Sequence, residues 1–177
     1  MEELERARAR GDIRGWGVSV HDHDADSACN LVESGAADSV QVMFNLFDQR
    51  AARVLFPLCQ KFNVGVLVRS PLYEGALSDT FQNARPYDPQ DWRSAFFGGG
   101  HAEEVRTRLE AIRPRVRWPD HTLSDLALRF CLSHTSVSTV ITGMRKPEHI
   151  AANLRAGYLP VMPEEQVQTF ASFDWLS

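Results

Sequence analysis

Apolar and polar positions alternate with two different periods along this chain, and the switches between them mark out its elements. Glu2 to Arg10 is charged with leucine and alanine interspersed and stops at Gly11, which reads as the end of a surface helix. Ile13 to Val20 is a strand with small residues, followed by the polar run His21-Asp22-His23-Asp24. Asp24 or Asp26 is placed to N-cap a helix to Ser34, with Ala28, Leu31 and Val32 at helical spacing. Ser39 to Asn45 is a second strand rich in β-formers. Asp48 can cap the next helix, in which Val54, Leu55, Leu58, Cys59 and Phe62 form one apolar face. Val64-Gly65-Val66-Leu67-Val68 is nearly all apolar, as in a strand covered on both faces.

After Pro71 the pattern loosens. Residues 73–100 hold Pro86, Pro89 and Gly98-Gly99-Gly100 and read as a long irregular excursion, a kind of segment that is usually functional or mobile. Two helices follow, Ala102 to Ile112 and Leu123 to Ser133, then a fourth strand, Ser138 to Ile141. Pro147 opens a helix to Arg155, and a short helix runs from Pro163 to Phe170. Strands alternating with helices predict an α/β fold with a parallel sheet. Four strands make a small open sheet or half of an eight-stranded barrel.

With 177 residues, 44% hydrophobic and 24% charged, the chain fits one domain over residues 1–177 and excludes disordered and collagen-like classes. A net charge of −4 argues against a nucleic-acid binder. No stretch approaches the about 18 apolar residues of a membrane span. Met1 to Arg14 mixes charges without an apolar core, so it does not read as a signal peptide. Cys29, Cys59 and Cys131 are widely spaced, which reads as buried thiols in a reducing cytoplasm and not as a disulfide framework or zinc site. Of 19 basic residues only Lys61 and Lys146 are lysine, a skew that fits a GC-rich bacterial genome.

Four ordered segments carry a resemblance: Trp16 to Val20, Val40 to Phe47, Gly65 to Leu72 and Thr139 to Gly143. They resemble strands five to eight of the aldo-keto reductases, whose fold is a (β/α)8 barrel. Asp91-Trp92-Arg93-Ser94 and the helix with Asn153-Leu154 resemble the same family, so the likeness covers essentially the whole chain. It implies half of a (β/α)8 barrel, four parallel strands with flanking helices. It also implies that the family's catalytic Asp, Tyr, Lys and His, which lie at the ends of the first four strands, carry over to no residue here. Carbonyl reduction would then need a partner chain supplying the missing half.

The resemblance further implies NADP(H) as cofactor. Ser19 and Gln41 match positions at the nicotinamide carboxamide, Arg69 the position beside the ring, and Ser70 and Leu72 the pyrophosphate turn. Gly143, Met144, Arg145, His149 and Asn153 match the loop and helix around the 2′-phosphate and adenine. A helix opening at Pro147 beside Arg145 offers a positive dipole end and a bidentate phosphate donor. Four positions depart from the family pattern: Val20, Thr142, Met144 and Ala152. On the alternative reading the motifs persist only as strands and turns.

His21, Asp22 and His23, with Arg69, cluster at strand ends where a (β/α) site is built, and are the candidate acid–base groups for chemistry of the chain's own. The alternative for the His-Asp run is a solvated loop ending in an Asp cap, and no metal is assigned to it. Met43 makes the inward wall of the second strand more apolar. Tyr73, Tyr87 and Tyr158 are substitute proton-donor candidates, and Trp16, Trp92, Trp118 and Trp175 read as packing residues. An open half-barrel leaves two strand edges unpaired and is expected to expose an apolar patch of Val, Met and Leu, which favours a homodimer, one form of which closes four plus four strands about a two-fold axis. Three function classes therefore stand: a redox half-barrel completed by another chain, a repurposed lyase, isomerase or cyclase, and a non-catalytic remnant or binding protein.

Overall fold

Four short strands, β1 (Gly17–Ser19), β2 (Ser39–Met43), β3 (Gly65–Arg69) and β4 (Val137–Val140), pair in parallel in the order β1-β2-β3-β4. The computed structural model describes residues 1–81, 87–117 and 119–176; Pro86 and Trp118 lie outside the described residues. Valine at alternate positions drives the sheet. Val40, Val42, Val66 and Val68 turn one way and are fully buried under the helices, because strand side chains alternate between faces. Gly17 allows β1 and β2 to meet closely, since a Cβ there would stand 2.4 Å from the Ser39 carbonyl oxygen.

The other face of the sheet corrects the expected apolar patch. Its valines have gone to the helix side and Met43 is itself buried, so the open face carries Gly17, Ser19, Gln41, Leu67, Arg69 and Thr139, with Ile141 exposed just past β4. Most of that surface is small or polar.

The helices are α1 (Glu2–Arg10), α2 (Cys29–Glu33), α3 (Arg50–Arg53), α4 (Leu55–Phe62), α5 (Trp92–Phe96), α6 (His101–Ile112), α7 (Leu123–Leu132), α8 (Pro147–Gly157) and α9 (Glu164–Gln168). In α1 the first turn is acidic and the last turn basic, which complements the helix dipole, and Gly11 closes it at φ 80°. In α7, Thr122 and Asp125 cap each other reciprocally. Neither Asp24 nor Asp48 caps as expected. A 3-10 turn, Ala25–Ala28, precedes α2 with no side-chain cap, and the Asp48 carboxylate is engaged by His23. The single helix expected after Asp48 is two. Pro57 has no N–H for the Arg53 carbonyl, so the helix breaks at Val54, which is left exposed. The long excursion contains a 3-10 turn, Tyr73–Gly75, and α5, capped by the Asp91 carboxylate on the Arg93 N–H at 3.0 Å.

Trp16 is buried and Trp175 stacks on His101, whereas Trp92 is 58% exposed and meets Phe96 edge-on at 5.5 Å. Cys59 and Cys131 are buried and Cys29 is half-buried, all as free thiols. Among the described residues no helix is long and apolar enough to cross a membrane.

His134 stands against Phe44, Phe130 and Phe56, and its Nε2 has no hydrogen-bond partner among the described residues. Burial lowers its pKa, and that of His101. The unfolded chain therefore takes up protons below about pH 6.5 that these imidazoles resist, so stability held above that pH is lost as pH falls. Urea midpoints are expected to drop between pH 7 and pH 5, and His134→Phe to flatten part of that slope.

Candidate functional site

The carboxyl ends of the four strands carry the groups singled out by the sequence. On the open sheet face the Gln41 Nε2 donates to the Ser19 Oγ at 3.1 Å, joining two predicted site residues across β1 and β2. Arg69, the last residue of β3, reaches across the sheet to β1. Its Nη2 lies 2.5 Å from the Asp22 carboxylate and donates to the Val20 carbonyl at 2.8 Å.

His23 is not part of that pair. It adopts φ 57° and its Nδ1 lies 2.7 Å from the buried Asp48 carboxylate. His21 is exposed in the same loop. The structure thus joins Asp22 to Arg69, ties His23 to a residue sequence reasoning had given another job, and brings His21 to neither pair.

The turn after β3 makes one wall of a cleft of about 1020 Å³. Ser70, Tyr73 and Glu74 all adopt positive φ, a conformation that costs on the order of 1 kcal/mol or more per non-glycine residue. Side chains hold it in place. The Asn45 Nδ2 donates to the Ser70 carbonyl at 3.1 Å, and the Ser70 hydroxyl donates to Glu74 at 2.7 Å. The opposite wall is Ile141, Thr142, Gly143 and Arg145 with His149 from the first turns of α8. Asn153 of α8 holds this wall by donating to the Thr142 hydroxyl at 2.8 Å and the Gly143 carbonyl at 3.2 Å.

Gln90, Asp91, Trp92 and Arg93 close the cleft from the side. The Arg93 guanidinium grips Asp91 through Nε at 3.0 Å and Nη2 at 2.5 Å and lies 4.4 Å from the Tyr87 ring centroid. Hydrogen bonds from Arg93 hold the Asp91 carboxyl down to about 2. Arg145 makes no ion pair with any described residue.

Of the predicted cofactor positions, Arg69, Ser70, Leu72, Gly143, Arg145 and His149 line this cleft. Asn153 lines an adjoining one of about 740 Å³, together with Arg93 and Tyr87. Met144 is exposed and lines neither. Sequence reasoning gave no site role to Asp91, Arg93 or Asn45, and read Asp48 only as a helix cap. An Asp ahead of Trp92 was a helix-cap signal, but the pairing of Asp48 with His23 spans 25 positions and left no local trace.

The three tyrosines do not stand at the strand ends as free acids. Tyr73 is buried, its hydroxyl 2.8 Å from the His101 Nε2, and burial pushes its phenol up to about 12. Tyr87 stacks on Phe97, and Tyr158 is 87% exposed just past α8.

These features meet a consistent set of relatives. A NADH-specific methylglyoxal reductase of Escherichia coli (strain K12) is 28% identical over 155 residues, 86% of this chain and 46% of that protein. The solved apo form of an aldo-keto reductase from Bacillus halodurans superposes with a TM-score of 0.75 at 26% identity, over 99% of this chain and 56% of that one. An aldo-keto reductase from Klebsiella pneumoniae in complex with NADPH shares the fold at a TM-score of 0.62 and 20% identity, over 98% of this chain and 52% of that one. The chain spans about half the length of the curated relatives it matches. The aldo/keto reductase family model matches residues 1–174, across all four strands and both walls of the cleft, and to that family this chain belongs.

Proposed function

We propose that this chain is the NADP(H)-binding half of an aldo/keto reductase barrel, and that carbonyl reduction needs catalytic residues outside these 177 residues. The observation that carries the reading is the cleft between the Ser70 turn and the Gly143–His149 wall, with Arg145 beside the N-terminus of α8. Its residues fit a dinucleotide. The cleft sits at the upper end of the about 300–1,000 Å³ range of ligand sites. Its two carboxylates are already engaged, Asp91 by Arg93 and Glu74 by the Ser70 hydroxyl.

When bound, the cofactor supplies a hydride to a carbonyl carbon. The residues of this chain hold and orient it. Arg145 and His149 take the adenosine 2′-phosphate, helped by the positive end of α8. The Ser70–Leu72 turn takes the pyrophosphate, and Ser19 and Gln41, already joined to each other, take the nicotinamide carboxamide. Arg69 closes the ring end and is kept in place by Asp22 and the Val20 carbonyl.

Calorimetric titration tests the reading. NADPH is expected to bind more tightly than NADH, and Arg145→Ala to erase most of the difference. A hydrogen bond to a charged group contributes about 1.5–3 kcal/mol, or roughly 10- to 150-fold in affinity. No heat with either nucleotide would sink the reading. Equal affinity for both would remove the 2′-phosphate assignment and align the chain with its NADH-specific relative.

A further inference from the structure

The Ser70 hydroxyl has one proton to donate, and it goes to the Glu74 carboxylate at 2.7 Å. A phosphate oxygen arriving at this turn would seek the same proton. Pro71 has no N–H to offer. The N–H groups of Tyr73, Gly75, Ala76 and Leu77 are spent inside the turn, on the carbonyls of Ser70, Leu72 and Tyr73. Two consecutive residues at positive φ, Tyr73 and Glu74, fold the chain back and return the carboxylate to Ser70.

Glu74 and Asp91 are the acids that line the larger cleft, and they differ in how their charge is met. Asp91 is held by the Arg93 guanidinium at 2.5 Å. Glu74 has no cation within ion-pair distance among the described residues, and Arg69 is spent on Asp22. The carboxylate is thus an anion held at the pyrophosphate turn by a neutral hydroxyl.

We propose that Glu74 occupies the pyrophosphate position in the free protein and gives up the Ser70 hydroxyl when a dinucleotide binds, an inference that rests on the cofactor reading of this cleft. Binding is then an exchange of one anion for another at a single donor. The displaced carboxylate stays in the same turn, close to the negative pyrophosphate, so it weakens the complex and speeds release. If Glu74 served only to brace the strained turn, its charge would be idle and a neutral acceptor would serve as well.

Glu74→Gln keeps an oxygen for the Ser70 hydroxyl and removes the charge. By calorimetry it should bind NADPH about 10-fold more tightly than wild type, with slower release in stopped-flow displacement, because like charges a few Å apart near a protein surface shift equilibria by at least that order. High salt should narrow the gap. Adenosine 2′-monophosphate, which has no pyrophosphate, should bind both proteins equally. Equal NADPH affinity in wild type and Glu74→Gln, with Glu74→Ala weaker than both, leaves Glu74 as a brace and overturns the exchange. Equal tightening of both ligands overturns it too, since the repulsion would then belong to the whole cleft. If neither ligand binds any of these proteins while their thermal midpoints show them folded, the cofactor reading itself fails and takes the exchange with it.

Discussion

Supplied with NADPH and a simple aldehyde, the purified chain is expected to oxidise the cofactor no faster than buffer does. Hydride arriving at a carbonyl carbon leaves charge on the oxygen, which needs a positioned proton and hydrogen-bond donors. General acid catalysis contributes roughly 10²–10⁴-fold and oxyanion stabilisation roughly 10²–10³-fold, so losing both removes about 10⁴-fold or more. Among the described residues no phenol stands ready at the strand ends to replace them. Tyr73 is buried on His101, Tyr87 is stacked on Phe97, and Tyr158 lies out past α8. The acid–base groups that do reach the strand ends are committed in pairs, Asp22 with Arg69 and His23 with Asp48. Loss of nicotinamide absorbance measures the rate. Aldehyde turnover at an ordinary enzymatic rate by the pure chain would refute this account of what its residues lack.

Phe44→Ala should be the most damaging single substitution in the core, at about 3–5 kcal/mol. The ring is fully buried and packs within 4.9 Å of Phe56, 5.4 Å of Phe130 and 4.7 Å of His134, centroid to centroid. It thereby fastens the end of β2 to α4 and α7. For a chain of this size each kcal/mol lowers the midpoint by about 2–4 °C, so thermal unfolding should begin roughly 6–20 °C earlier. The effect reaches the cleft as well, because Asn45, the next residue, holds the Ser70 turn. Nucleotide affinity should therefore weaken even at temperatures where the variant stays folded. A midpoint shift of only a degree or two would contradict this packing.

The strands were legible as runs of β-formers separated by helices, but Val64 to Val68 read as a strand covered on both faces and is buried on one, with Val66 and Val68 under the helices and Gly65, Leu67 and Arg69 half-exposed on the other. The C-terminal end of α1 was legible too, from Gly11. The helix after Asp48 was misread because its apolar spacing outweighed Pro57, the residue that breaks it. Counting apolar strand residues also misjudged the open face, since alternation sends the valines to the helices and leaves glycine, serine and glutamine behind. Of the positions implied by the family resemblance, those on continuous segments come together along one cleft: Ser70 and Leu72 on the turn, Gly143, Arg145 and His149 on the loop and helix. The meeting of Asp22 with Arg69 was within reach because both sit at strand ends, whereas the pairings of Asn45 with Ser70 and Asp48 with His23 escaped, because nothing local in a sequence records which loops fold together.

Hydrogen exchange of the chain with and without saturating NADPH tests the central claim most directly. Bound nucleotide should slow exchange in the Ser70–Leu72 turn and from Gly143 to His149, while α1 and α9 exchange as before. Unchanged exchange in both cleft walls, or slowing confined to the His21–Asp24 loop, would contradict it.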